Sequence, residues 1–206
     1  MQERVKQEGE QIRKARPVPL RDVAVGEVAT VGIRHFIVLE QLEDRTVLFQ
    51  GNCYDYISFG ESNDYRGSNA RAYCKEVAEE LEEIIGDRLI PHRVDLSSDS
   101  GTERYGDVQE KVSLLTKELA RKYAEQLDRV ISKIMDPIWL ATPVNPCKSF
   151  ENHFDQRFVR IIRKPGEFWV EGSCDCAEFG IVSPYLIMQN DVPVILKKEK
   201  QKGRNV

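Results

Sequence analysis

A chain of 206 residues with 30 Lys and Arg against 34 Asp and Glu carries a formal charge of −4, which argues against the broad basic footprint of a nucleic-acid protein. Its 41% hydrophobic content can build one self-supporting core, and no stretch approaches the ~18 apolar residues of a membrane span or the h-region of a secretory leader. A soluble cytoplasmic protein is expected, and the five cysteines, odd in number and irregularly spaced, read as reduced thiols rather than a disulfide framework.

Residues 1–19 read as a polar tail or loose helix, with Val5 and Ile12 as its clear apolar anchors and Pro17 and Pro19 closing it. Residues 20–196 read as one α+β domain and 197–206 as a basic, solvated tail. From Val23 the composition turns β-branched and aromatic, and Gly26, Gly32 and Glu43-Asp44-Arg45 divide Val28 to Thr30, His35 to Leu39 and Thr46 to Phe49 into short strands. Turn chemistry at 62–68 leads to an N-cap at Ser68 or Asn69. Apolar residues Ala70, Tyr73, Cys74, Val77, Ala78, Leu81, Ile84 and Ile85 then mark one helix face that ends at Gly86.

A second helix is predicted from a cap at Thr116 through Leu119, Tyr123, Leu127, Val130, Ile131 and Ile134, ending before Pro137. Strand signals return at Arg157 to Arg163, Glu167 to Glu171, Ile181 to Met188 and Val192 to Leu196, the first pair joined across Lys164-Pro165-Gly166. Connections too short for parallel crossovers imply an antiparallel sheet.

Several stretches carry a resemblance in a fixed order: Val25-Gly26-Glu27 with Phe36 to Leu39, Asn63-Asp64-Tyr65 with Ser68 to Arg71, Val94 to Tyr105, Val112 to Tyr123, and Trp139 to Pro143, followed by Val182-Ser183-Pro184. The chain resembles an uncharacterised domain family of gram-positive bacteria and their prophages or mobile elements, marked by a W-L-A/R-T/S-P core and a late V-R-P motif. The resemblance spans roughly residues 20 to 196 and implies a C-type-lectin-like fold, in which two helices flank a twisted antiparallel sheet and the first and last strands pair. The chain departs from the family pattern at Ser183, where the motif has arginine, at Lys164-Pro165-Gly166, where an aspartate-glycine turn is usual, and at Pro137-Ile138 before the tryptophan.

No catalytic or cofactor motif stands out, and no cofactor or metal is expected. Asp95 to Glu103 is rich in side-chain oxygens, but Gly106 stands where a calcium loop needs its twelfth-position acid, so Ser97, Ser98 and Asp99 are expected to bond their own backbone instead. Cys174-Asp175-Cys176 lacks a second pair of ligands, and a site completed by Cys147 and His153 would need partners from distant segments. His35 reads as a sheet-surface residue and His92 as a loop residue after Pro91, while Trp139 reads as core, sharing one cluster with Leu115, Leu127, Leu140 and Ile181.

The segment 145–157 is the strongest surface candidate. It interrupts a polar loop with Phe150 and Phe154, and aromatic anchors among adaptable polar groups such as Asn145, Asn152, His153, Asp155 and Arg157 suit recognition, although both rings could equally pin the loop to the core. The chain is thus expected to be a non-enzymatic module binding a protein partner through 145–157 and 172–180. The alternatives are a Cys/His-based hydrolase, redox or metal protein using Cys147, His153, Cys174 and Cys176, and a local nucleic-acid contact through Arg157, Arg160 and Arg163.

Overall fold

The structure, a computed structural model, describes residues 16–51, 55–60, 64–97, 105–131, 138–143, 158–164, 167–171 and 179–196. Two uninterrupted apolar runs organise it, one in β3 (Arg34–Gln41) and one in β4 (Arg45–Gln50). Because successive side chains of a strand point to opposite faces, Phe36-Ile37-Val38-Leu39 and Val47-Leu48-Phe49 are stable only with both faces covered. Phe36, Val38 and Leu48 join one core cluster, and Ile37, Leu39, Val47 and Phe49 join another.

The sheet around these two strands has seven members in the order β1 (Val18–Pro19), β14 (Pro193–Leu196), β2 (Val28–Val31), β3, β4, β13 (Tyr185–Gln189) and β8 (Val112–Ser113). All of its pairings are antiparallel. Phe36 to Leu39 and the 193–196 strand therefore lie in one sheet, separated by β2, as the sequence leads one to expect.

On one face lies α1 (Asn69–Ile85). Ser68 caps it by accepting the Arg71 amide at 3.1 Å, and Gly86 ends it with φ +64°, a conformation open to glycine at little cost. Ala70, Cys74, Val77, Ala78, Leu81 and Ile85 bury the expected stripe. Tyr73 of that stripe is half-buried and packs against the same cluster, whereas Ile84, also assigned to it, stays exposed.

The opposite face is covered by α2 (Lys117–Lys122) and α3 (Ala124–Ile131), with Ala120, Tyr123 and Leu127 in the second cluster. Thr116 caps α2 as predicted, through the Leu119 amide at 3.2 Å. The single long helix expected here is instead broken at Tyr123, whose φ of −103° and ψ of 22° leave the helical region. Its hydroxyl donates to Glu40 of β3 at 2.6 Å, tying the break to the sheet. Residues 132–137, where the end of that helix was placed, lie outside the described residues.

A smaller sheet runs in the order β11 (Glu167–Glu171), β10 (Phe158–Lys164), β9 (Ile138–Trp139), β12 (Phe179–Val182) and β5 (Asp55–Ser58), and a two-stranded ribbon pairs β6 (His92–Asp95) with β7 (Asp107–Glu110). Four expectations change here. The run Ile181 to Met188 is two strands in different sheets, because Pro184 has no amide hydrogen with which to continue a ladder. One pairing, β9 with β12 through Ile138 and Ile181, is parallel, which the long intervening chain through β10 and β11 permits. His92 opens β6 rather than sitting in a loop. The single core assigned to Trp139 and its neighbours is divided: Trp139 and Ala141 enter the α1-side cluster, while Ile138, Leu140, Leu115, Leu127 and Ile181 enter the other. Among the described residues no helix is long and apolar enough to cross a membrane.

Candidate functional site

Trp139 fixes the root of the 145–157 segment. Its ring is fully buried, 5.1 Å from the Phe59 ring, and its Nε1 donates to the Ile57 carbonyl at 2.9 Å. Downstream, the Ala141 amide donates to the Leu115 carbonyl at 2.9 Å and the Thr142 hydroxyl accepts the Lys117 amide at 2.9 Å. The chain returns to the sheet at Phe158, in register with Trp139 itself. Segment 144–157 is thus bracketed by a buried, hydrogen-bonded stretch and by the first residue of β10.

Asn145, Phe150, Asn152, His153, Asp155 and Arg157 lie outside the described residues, as do Cys53, Cys147, Cys174 and Cys176. Arg160 and Arg163 fall within β10, in register with Glu171 and Phe168. Register also orders the small sheet's ends. Asp55, at the start of β5, pairs with Val182, at the end of β12; Trp139 pairs with Phe158; and Arg160 pairs with Glu171, the last residue of β11. With β9 parallel to β12, Asp55 after 52–54, Trp139 and Phe158 on either side of 144–157, and Glu171 before 172–178 gather at one end of this sheet, whereas Phe179 pairs with Ser58 at the other.

Elsewhere, the groups that most invite a catalytic reading are held in structural roles. Cys74 is completely buried on α1, and burial pushes its thiol up to about 12, far from the range of a reactive thiolate. His92 Nε2 lies 2.9 Å from Ser113 Oγ, a Ser-His pair in outline. Ser113 is fully buried, however, and its hydroxyl donates to the Leu114 carbonyl at 3.0 Å, leaving the ring Nε2–H to donate to the same oxygen. Among the described residues no carboxylate accepts from His92 Nδ1, so the acidic group that orients a catalytic imidazole is missing there. Its other neighbour is the edge-on ring of Tyr185, at 5.1 Å.

Burial lowers the His92 imidazole to about 4, and the Ile90 carbonyl offsets only part of that effect. The unfolded chain takes up this proton near pH 6.5 while the folded chain refuses it, so stability contributed here is intact above pH 6.5 and declines as pH falls toward 4. The expected loss is about 3 kcal/mol across that window. Urea midpoints at pH 7.5 and pH 4.5 check it: His92→Gln should narrow the gap between the two midpoints, and an unchanged gap would show that His92 is not the group responsible.

Further polar clusters tie distant elements together. Arg34 of β3 donates to Glu80 of α1 at 2.6 and 3.0 Å, and to Gln50 and the Tyr73 hydroxyl at 3.2 Å each. Arg71 of α1 donates to the buried Glu110 of β7 at 2.6 Å. Lys122 and Tyr123 both donate to Glu40, and these bonds, that from Lys122 foremost, hold its carboxyl below the usual range. Sequence reasoning missed these clusters because their partners stand 16 to 83 residues apart with no local pattern to mark them.

No family model, curated protein or solved structure matches the chain. Its chemistry therefore rests on its own residues. Among the described residues no three His, Cys, Asp or Glu side chains converge on a point that could hold a metal ion. In the oxygen-rich loop, Asp95 Oδ1 accepts the Ser97 amide at 2.8 Å, a local turn bond made by Asp95 rather than by the residues expected to make one, of which Ser98 and Asp99 lie with the rest of 98–104 outside the described set. Ser183 is buried with its Oγ unpartnered among the described residues. A groove of about 370 Å³ between Arg21, Asp44, Ile90 and Gln189 to Asp191 contains neither His nor Cys.

Proposed function

We propose that the chain is a non-enzymatic recognition module with a C-type-lectin-like fold that binds a protein partner through residues 145–157 and 172–180. Asn145, Phe150, Asn152, His153, Asp155 and Arg157 are the contact residues in this reading. The observation that supports it is the gathering of Asp55, Trp139, Phe158 and Glu171 at one end of the small sheet, anchored by the bond of the buried Trp139 to Ile57 and by that of Thr142 to the Lys117 amide at the start of α2. Recognition loops work from such rigid roots, which limit the ordering entropy lost on binding. The lectin-like assignment draws support from the pairing of the first and last strands, Val18 with Val194 and Pro19 with Pro193, and from helices on both faces of the antiparallel sheet.

Replacing Phe150 and Arg157 together by Ala should leave the circular dichroism spectrum unchanged and weaken capture of the physiological partner at least tenfold, the scale of one lost hot spot. Cys174→Ser with Cys176→Ser should leave capture intact. Elemental analysis separates this from the Cys/His alternative: stoichiometric zinc, lost on the cysteine replacements, would overturn the recognition reading in favour of a metal protein.

A further inference from the structure

At the far end of α1 the surface combines two features that folding does not require. Ile33, at the tip of the two-residue turn between β2 and β3, is 77% exposed, and Ile84 is 51% exposed. The turn packs against Ile84, for a Cβ placed on Gly32 would lie only 2.6 Å from Ile84 Cδ1, and Ile33 is the next residue along the turn. Gly32, with φ +57°, supplies the left-handed residue that a tight hairpin needs at its first central position, whereas the second position makes no demand for a branched apolar side chain. Isoleucine there is neither buried nor required by the turn.

Beside this pair runs the outward stripe of α1. Glu76, Glu79 and Glu83 recur at three and four residue steps, and all are exposed. Arg34 and Lys111 engage Glu80 and Glu82, but Glu76, Glu79 and Glu83 face no cation within ion-pairing distance among the described residues. The stripe opposes folding twice over. Like charges three and four residues apart repel, and acids near a helix C-terminus oppose its dipole, here with no basic residue in the last turn.

We propose that Ile33, Ile84 and this acidic stripe form a second docking surface, distinct from residues 145–157, whose occupant is a basic amphipathic helix of a partner protein. Aliphatic side chains of that helix cover the two isoleucines, and its Lys and Arg residues neutralise the carboxylates. Charge complementarity selects this occupant over an acidic or neutral one. The stripe from Glu76 to Glu83 spans seven residue steps, about 10 Å at ~1.5 Å per residue, which matches roughly two turns of a partner helix.

Fluorescence anisotropy with a labelled Leu/Lys amphipathic peptide of about 18 residues, some ~27 Å when helical, tests this on the full chain. Saturable one-to-one binding is expected, at least tenfold weaker for Ile33→Ser, a change too exposed to threaten the fold. The triple replacement E76Q/E79Q/E83Q should weaken binding and flatten its salt dependence, while Phe150→Ala with Arg157→Ala should leave it unchanged. Equal binding of a scrambled peptide of the same composition would overturn the proposal, as would indifference to Ile33→Ser or loss of binding in the Phe150/Arg157 variant. A dimer in sedimentation that Ile33→Ser converts to monomer would assign the face to a second copy of the chain and equally overturn it.

Discussion

Trp139→Ala should lower the stability of the protein by about 3–5 kcal/mol, a large part of the ~5–15 kcal/mol that holds a typical domain together. The ring is fully buried against Phe59, so its removal forfeits apolar burial and opens a cavity that the surrounding strands close only in part. The Ile57 carbonyl loses its donor as well. Trp139→Phe separates the two contributions: it keeps most of the ring and loses only the N–H, for an expected cost of about 1–2 kcal/mol. Thermal or urea unfolding checks both, and an unchanged midpoint for Trp139→Ala would place the ring outside the core.

Arg71→Ala should cost about 3 kcal/mol through a different mechanism. Glu110 is 7% exposed and relies on Arg71, itself 21% exposed, as its ion-pair partner among the described residues. Removing the guanidinium strands a carboxylate beside the buried Tyr65 and Cys74, whose own ionisation Glu110 disfavours. Arg71 also donates to the Arg66 carbonyl at 2.8 Å, so part of the loss is local to the start of α1. The charge component is isolated by Glu110→Gln: the double variant should be more stable than the sum of the single losses allows, by about 1–3 kcal/mol. Strict additivity would show that the two side chains do not interact.

The parts of the fold legible in the sequence were those where one physical demand dominated. His35 to Leu39 and Thr46 to Phe49 carry β-branched and aromatic residues that mark them as strands, and Ser68, Thr116 and Gly86 carry cap chemistry that survives in the structure. Strands β5, β6 and β7 were not legible, because Asp55–Ser58, His92–Asp95 and Asp107–Glu110 are largely polar and short, and long-range pairing rather than local propensity makes them extended. Tyr123 fits the apolar spacing of a continuous helix, so its sequence position gave no sign of the break that its bond to Glu40 accompanies. Trp139 was legible as buried but not as facing the α1 side, since that depends on which way a two-residue strand is set between two cores. For the candidate site, sequence supplied the residue types between Pro143 and Phe158, while the gathering of its roots beside Asp55 and Glu171 follows only from register.

The central claim, recognition of a protein through residues 145–157, is tested most directly by placing a photoreactive benzoylphenylalanine at position 150 of the full chain and irradiating it in the cells that express it. Recognition predicts one discrete, light-dependent adduct with another protein, lost when Arg157→Ala is added and retained when Cys174 and Cys176 are both replaced by Ser. Absence of any adduct at position 150, with stoichiometric zinc bound through Cys174 and Cys176, would contradict it.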